Sequence, residues 1–158
     1  MEQLINKIGN LKKGVSFMKM IISTLACVTL LSGISALADE AKVQAAYAKD
    51  VKEILLKKCG NCHGTGEKSP EYSANAEVKS LVDMVHEKAK KEVELGDTVK
   101  PGQKMQGSLK KAVKEIAEMA EKAKMPPKKY VQLVPGSALT PEEKEAIAKW
   151  AKENSLDK

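Results

Sequence analysis

Cys59-Gly60-Asn61-Cys62-His63 is the stretch that decides how this chain folds and which cofactor it holds. It reads C-x-x-C-H, the attachment motif of a c-type haem. Each thiol can form a thioether with one haem vinyl group, and His63 then ligates the iron from one face. The alternatives are a thioredoxin-like redox pair, which needs a βαβ context that is missing here, and half of a zinc site, which needs more Cys or His. The motif therefore predicts one covalently attached haem c per chain.

The N-terminal part of the chain has the pattern of a secretory signal peptide. A basic segment at 18–20 precedes an apolar stretch at 21–31, and Ala36-Leu37-Ala38 has the A-x-A form of a cleavage site. We expect residues 1–38 to be removed, with the residues before Met18 either extending the basic region or reflecting an upstream mis-start. The alternative is an uncleaved membrane anchor at 21–38, barely long enough to span. Because covalent haem attachment occurs outside the cytoplasmic membrane, the motif and a periplasmic location predict each other.

Half of the formal net charge of the chain lies in the predicted signal segment. The whole sequence carries a formal net charge of +6, but residues 39–158 alone carry +3. The chain contains no arginine, the side chain best suited to bidentate recognition of phosphates and bases. The composition therefore predicts no nucleic-acid partner.

Few side chains are available to build the core of the mature part. Cys27 falls in the signal segment, so Cys59 and Cys62 are the only remaining cysteines and leave no structural disulfide. The aromatic residues there are Tyr47, Tyr72, Tyr130 and Trp150. We expect a buried porphyrin to supply the missing flat apolar surface, so that the fold depends on the cofactor.

Apolar periodicity along residues 39–158 is helical, and strand signals are absent. It predicts helices at about 40–58, from 78 to near Gly96, and at 109–123. A last helix begins at Thr140-Pro141-Glu142-Glu143, which has a capping box and a proline in its first turn. Loops are expected at 64–73 and 97–107. The sequence thus predicts one all-α domain, residues 39–158, of about four helices around the haem.

Met125 is the leading candidate for the second axial ligand. It follows a helix, and Pro126 favours an extended conformation for it, so the stiff loop can present the thioether to the iron. The alternative is His86, which lies at the edge of an apolar helix face and would make a bis-histidine haem. The remaining methionines of the mature part, Met84, Met105 and Met119, are expected in the core or in loops.

Further residues are candidates for supporting roles around the haem. Pro70 could offer its carbonyl to the His63 ring N–H and fix the ring orientation. Tyr72 and Tyr130 could donate hydrogen bonds to the haem propionates, and Trp150 is expected to pack where the first and last helices cross. Lys128 and Lys129 could surround the exposed haem edge and attract an acidic redox partner, although paired lysines usually mark only a solvated surface.

These motifs, in this order, resemble those of the class I cytochromes c and, more closely, the small exported single-haem proteins of the haem-binding domain family. The resemblance covers about residues 48–152, and the matching segments are Cys59–His63, Pro70-x-Tyr72, His86, Met125-Pro126-Pro127, Tyr130 and Leu139–Trp150. It implies a cytochrome c-like helical fold with His63 and Met125 as iron ligands. The chain departs from the family at 87–107, where a Gly-Arg and Asn-Phe stretch is replaced by a lysine-rich one.

Three functions are compatible with these features. The first is a one-electron carrier, not an enzyme, whose iron has both axial positions filled and whose partners are unidentified redox proteins. The second is a haem-based ligand sensor or peroxidase-like protein with a displaceable sixth ligand. The third is a non-catalytic haem subunit of a larger redox complex. The membrane is a partner only if the signal segment stays uncleaved.

Overall fold

The computed structural model describes residues 37–154 of the chain. The predicted signal segment lies almost entirely outside the described residues. The chain divides into two units, Met1–Glu40 and Ala41–Lys158, and the C-x-x-C-H motif belongs to the second. Among the helices at 37–154, none has both the length and the apolar character required to cross a bilayer.

Helices dominate the described part of the chain, which confirms the predicted all-α class. A helical segment at 37–46 continues through a π-helical turn, Tyr47–Val51, into α1. The bounds of the following helices are α1 Lys52–His63, α2 Pro70–Ala74, α3 Ala76–Glu92, α4 Leu109–Glu121, α5 Lys128–Leu133 and α6 Pro141–Asn154. Two strands, β1 Val93–Leu95 and β2 Val99–Pro101, and a 3₁₀ turn, Gln103–Met105, lie between α3 and α4.

The haem motif forms the last turns of α1, whereas the sequence predicted that the helix would end near Lys58. Side chains three and four residues apart share one face of a helix. Helical backbone at 59–63 therefore places Cys59, Cys62 and His63 on the same side of α1. Gly64 ends the helix with an extended backbone, and its N–H donates to the Gly60 carbonyl at 2.8 Å.

The β-hairpin corrects the prediction that strands are absent. Val93 pairs with Pro101 and Leu95 with Val99 in an antiparallel register. Each strand has only three residues, which is too short for an alternating pattern to be distinguished from the end of an amphipathic helix. The side chain of Gln44 holds the outer edge of β2: its Nε2 donates to the Val99 carbonyl at 2.7 Å, and Val99 N–H donates to its Oε1 at 3.0 Å.

Two short helices, α2 and α5, lie where the sequence predicted loop or gave no helix. Pro70 stands at the first position of α2, where its missing N–H costs nothing. Asn75 then caps α3 by accepting hydrogen bonds from the backbone N–H groups of Glu77 and Val78. The predicted capping box of the last helix is confirmed: Glu143 N–H donates to Thr140 Oγ1 at 3.2 Å, and Thr140 N–H donates to Glu143 Oε2 at 2.8 Å.

The buried side chains form two clusters rather than one. The larger core joins the π-helical turn, α1, the hairpin, α4 and α6, and its fully buried members include Tyr47, Val51, Leu55, Val99, Val113, Ile147 and Trp150. The rings of Tyr47 and Trp150 lie 6.1 Å apart between centroids, which confirms that Trp150 packs where the first and last helices meet. The smaller core consists of Tyr72, Val78, Val82 and Tyr130.

The C-x-x-C-H motif lies between these two clusters. Cys59 packs against the larger core and Cys62 against the smaller core. A flat apolar group bound to both sulfurs would therefore contact both clusters. This position fits the expectation that a cofactor completes the hydrophobic interior.

Candidate functional site

His63 is oriented by the hairpin. Its Nδ1 lies 2.9 Å from the backbone carbonyl of Val93. Since a carbonyl oxygen can only accept, Nδ1 carries the proton and the lone pair is on Nε2, the atom that is left to bind a metal. The prediction that Pro70 supplies this carbonyl is wrong, because the His63 ring bonds through Nδ1 to Val93; the Pro70 carbonyl accepts from Ser73 Oγ at 3.0 Å.

The surroundings of His63 keep its imidazole neutral at neutral pH. Burial lowers the pKa of His63 below its ordinary value, and hydrogen bonds to the backbone of Val93 and Ala89 offset part of that shift. A neutral imidazole is the form that ligates a metal ion. The site therefore holds a histidine with the tautomer, orientation and charge of an iron ligand.

The two thiols of the motif are unlike those of a dithiol redox enzyme. Burial raises the pKa of the Cys59 thiol to about 12 and also raises that of Cys62. Reactive redox cysteines have the opposite property, a pKa lowered by positive charge or by a helix N-terminus. Cys59 and Cys62 lie instead in the last turns of α1. Their environment disfavours the thioredoxin-like alternative and is compatible with conversion of both thiols to thioethers.

Two cavities adjoin the motif, and four residues line both of them: Cys59, His63, Glu92 and Met125. The first cavity has a volume of about 230 Å³ and the second of about 250 Å³. Together they fall within the range of roughly 300–1,000 Å³ that is usual for ligand and cofactor sites. The walls of the first cavity are mainly apolar and come from α1, the hairpin, α4 and α6; they include Leu55, Val93, Leu95, Ile116, Ala120, Leu139 and Ile147.

Met125 adjoins both cavities from the turn that follows α4. The backbone N–H groups of Lys124 and Met125 both donate to the Met119 carbonyl, at 3.0 and 3.3 Å, and Pro126 is buried. Met125 itself is 40% exposed. The structure thus brings Cys59, His63 and the predicted Met125 ligand together around one site. Met119, which was expected in the core or a loop, also lines the first cavity.

His86, the alternative ligand, lies on α3 beside this site. Its Nδ1 is buried and has no hydrogen-bond partner within residues 37–154. The α3 residues that line the second cavity are Val85, Lys88, Ala89 and Glu92, and His86 is not among them. The geometry therefore favours Met125 over His86.

The two tyrosines with predicted haem roles differ in position. The Tyr72 hydroxyl donates to Asp83 and accepts from Lys68 Nζ at 3.2 Å, and its ring packs in the smaller core. Tyr130 lines the second cavity, and its hydroxyl accepts from Asn61 Nδ2 at 2.6 Å. Tyr130, but not Tyr72, is placed to contact a cofactor in the cavity.

Several residues of the site were missed at the sequence level. Glu92 lines both cavities, Glu115 lines the first, and Lys58 and Lys88 line the second. In a chain with 27 lysines and 21 acidic residues, no local signal separates these four from the solvated helix faces. Asn61 offered a weak signal, because asparagine is a poor helix former in what proves to be a helical segment.

Comparison with known proteins bears directly on this arrangement. The sequence model of a protein family described as a haem-binding domain matches residues 23–153. No curated protein matches the chain. No solved structure matches it either. The family match covers the motif, both cavities and the Met125 loop.

Proposed function

Because the chain belongs to the haem-binding domain family, we propose that this haem-binding protein is an exported mono-haem cytochrome c that transfers single electrons and catalyses no reaction. The observation that carries the proposal is the common position of Cys59, His63 and Met125 around two adjoining cavities, with the His63 ring oriented through Nδ1 by the Val93 carbonyl. These residue types are the donor set of a covalently attached haem with His and Met ligation.

Each of these residues has a separate task in holding the haem. Cys59 and Cys62 provide the sulfurs for two thioethers, and His63 and Met125 provide the axial nitrogen and sulfur ligands. When bound, the haem iron supplies the one-electron couple. The Val93 carbonyl fixes the His63 ring, and the apolar walls of the first cavity exclude water, so the ligands stay in place when charge changes.

The charged residues near the cavities favour one orientation of the cofactor. Glu115 lines the first cavity alone, and Glu92 lines both cavities, so the first has two carboxylates and no lysine. Lys58, Lys88 and Tyr130 line the second. We therefore assign the anionic propionates to the second cavity, where Lys88 and Tyr130 are available to bind them.

The redox partner is proposed to be an acidic protein that docks near Met125. Lys128 and Lys129 are exposed on α5, directly after the Met125 loop. Lys129 forms a surface ion pair with Glu77 at 3.0 Å, while Lys128 and Met125 line a third, more open cavity. Surface charges of this kind mainly increase the association rate, and the rate falls with ionic strength.

Axial ligation is tested by absorption spectroscopy of the oxidised haem protein. We expect the wild type to show the long-wavelength charge-transfer band of a methionine–iron bond. Met125→Ala should abolish this band, whereas Met119→Ala and His86→Ala should retain it. Persistence of the charge-transfer band in Met125→Ala, together with its loss in Met119→Ala or His86→Ala, would refute the assignment of Met125 as the ligand.

Export and covalent attachment are tested by mass spectrometry of the protein purified from cells that mature cytochromes c. We propose that it is periplasmic, starts at Asp39 and carries the mass of one haem. A chain that retains residues 21–38 would instead support the membrane-anchored alternative. A colourless, folded protein would refute the proposed function.

The second candidate is a haem-based sensor or peroxidase-like protein, in which an external ligand displaces Met125. Met125 lies in a turn beyond the end of α4 rather than within a helix, so it can move away from the iron with little cost to the fold. Rapid binding of carbon monoxide to the reduced wild type would favour this candidate. Slow or absent binding would favour the electron carrier.

A further inference from the structure

Asn61, a variable position of the C-x-x-C-H motif, is hydrogen-bonded through every polar atom of its side chain. Its Oδ1 accepts from Ser69 N–H at 2.8 Å. Its Nδ2 donates to Ser69 Oγ at 2.9 Å and to the Tyr130 hydroxyl at 2.6 Å. The haem-attachment helix α1 is thus joined to the segment before α2 and, 69 residues further along the chain, to α5.

The bond to Tyr130 is important because Tyr130 closely follows the segment that carries Met125. Four residues separate it from Met125, and the first two, Pro126 and Pro127, have no N–H with which to bind the rest of the protein. Tyr130 is 5% exposed and lies in the first turn of α5. Within residues 37–154, its bond with Asn61 is the only hydrogen bond that joins α5 to α1.

The loop that carries Met125 is therefore held at both of its ends. On the N-terminal side, Met125 N–H binds the Met119 carbonyl at the end of α4. On the C-terminal side, the nearest hydrogen bond to the haem-attachment helix is the one between Tyr130 and Asn61. Both residues also line the second cavity with Met125 and the two prolines.

We propose that Asn61 is a positioning residue for the sixth iron ligand: through Tyr130 it holds the Met125–Pro127 loop against the helix that carries Cys59 and His63. This inference rests on the proposed ligation by Met125. It predicts that loss of the Asn61–Tyr130 bond weakens the methionine–iron bond without removing any atom of either ligand.

The test uses imidazole as a competitor for the sixth position of the oxidised haem protein. Tyr130→Phe and Asn61→Ala should each bind imidazole roughly tenfold more tightly than the wild type, as expected when one buried hydrogen bond is lost. The double variant should resemble Asn61→Ala, because the Asn61–Tyr130 bond is already lost there, and it should fall short of the sum of the two single effects; the bonds to Ser69 are lost in Asn61→Ala but not in Tyr130→Phe. The midpoint temperature at which the charge-transfer band disappears should fall in the same variants.

Tyr72→Phe is the matched control. Tyr72 belongs to the same smaller core and also loses a hydroxyl hydrogen bond, but its partner is Asp83 on α3. A purely structural role for Tyr130 would make the two Tyr→Phe variants alike in imidazole affinity. Equal affinities for imidazole in wild type, Tyr130→Phe and Tyr72→Phe, or equal increases in both variants, would overturn the inference while leaving Met125 ligation intact. A wild type whose spectrum is unchanged by Met125→Ala would overturn both together.

Discussion

Lys58 is a buried cation that holds the loop before α6, and replacing it measures how much its contacts contribute to the free energy of unfolding. Its side chain is only 5% exposed, and its Nζ donates to the carbonyls of Gly136 at 2.7 Å and Ala138 at 2.8 Å. The Glu143 carboxylate lies 3.3 Å from the same nitrogen. The loop carries Leu139, which forms part of the wall of the first cavity. Lys58 therefore connects the helix of the haem motif to the opposite side of the site.

Lys58→Met keeps most of the aliphatic stem but removes the charge and all donors. Breaking a buried ion pair by removing one partner costs about 3–5 kcal/mol, because the other charge stays buried. The Glu143 side chain is 20% exposed and also accepts from Thr140 N–H, so water and that bond relieve part of the cost. We expect the free energy of unfolding to fall by about 3 kcal/mol.

Urea unfolding of the oxidised haem protein, followed by circular dichroism, measures this change. Lys52→Met is the control: Lys52 pairs with Asp97 at 2.9 Å, but the Asp97 side chain is fully exposed, so the loss of stability should be much smaller than that for Lys58→Met. Glu143→Gln added to Lys58→Met should recover part of the stability by removing the unpaired charge. A loss for Lys58→Met as small as that for Lys52→Met would refute the role of Lys58 in holding the loop.

Two further predictions concern the elements that position His63. Burial, and then the charge of Asp97, raise the pKa of Tyr47 to about 12, against about 10 in an unfolded chain. The neutral phenol therefore stabilises the fold fully below pH 10, and this contribution, up to about 3 kcal/mol, is lost as the pH rises from 10 to 12. In urea titrations across that window, wild-type stability should fall more steeply than that of Tyr47→Phe, and parallel slopes would contradict the prediction. Gly102→Ala would place a Cβ against the backbone of Lys91 at the end of α3, and the free energy of unfolding should fall by roughly 1–3 kcal/mol. Gly66→Ala is the control, because a Cβ there has no neighbouring atom within 4 Å. Equal losses of stability in the two variants would show that the contact with Lys91 does not destabilise the protein.

Much of the fold followed from local patterns in the sequence. Apolar residues recur with helical spacing in α3, α4 and α6, and the Thr140–Glu143 cap depends on residues only three positions apart. The hairpin was missed because each strand has only three residues, too few to show an alternating pattern, and the partner of its outer edge, Gln44, lies 55 residues away from Val99. The two short helices were missed because helices of 5 and 6 residues contain too little of a period to be recognised.

The features of the candidate site also fall into two groups, those that the sequence identified and those that only the structure showed. The identities of Cys59, Cys62 and His63 followed from the sequence alone, because the chemistry of attachment requires these residue types at this spacing. The partner of the His63 ring did not, because every residue has a backbone carbonyl and nothing in the sequence distinguishes that of Val93 from that of Pro70. The contacts of Lys58 with Gly136 and of Asn61 with Tyr130 were not predicted either, because the bonded residues are 78 and 69 positions apart in the sequence.

The amino-acid sequence by itself determined the helical class, the attachment motif and Met125 as the leading sixth ligand, since each depends on short-range spacing along one backbone. Only the tertiary structure decided which carbonyl orients the imidazole, which lysine is withdrawn from water and which asparagine binds Tyr130. These contacts form between segments that are distant in the sequence. A buried polar group without a hydrogen-bond partner is costly, and its partner comes from whichever segment the fold places beside it.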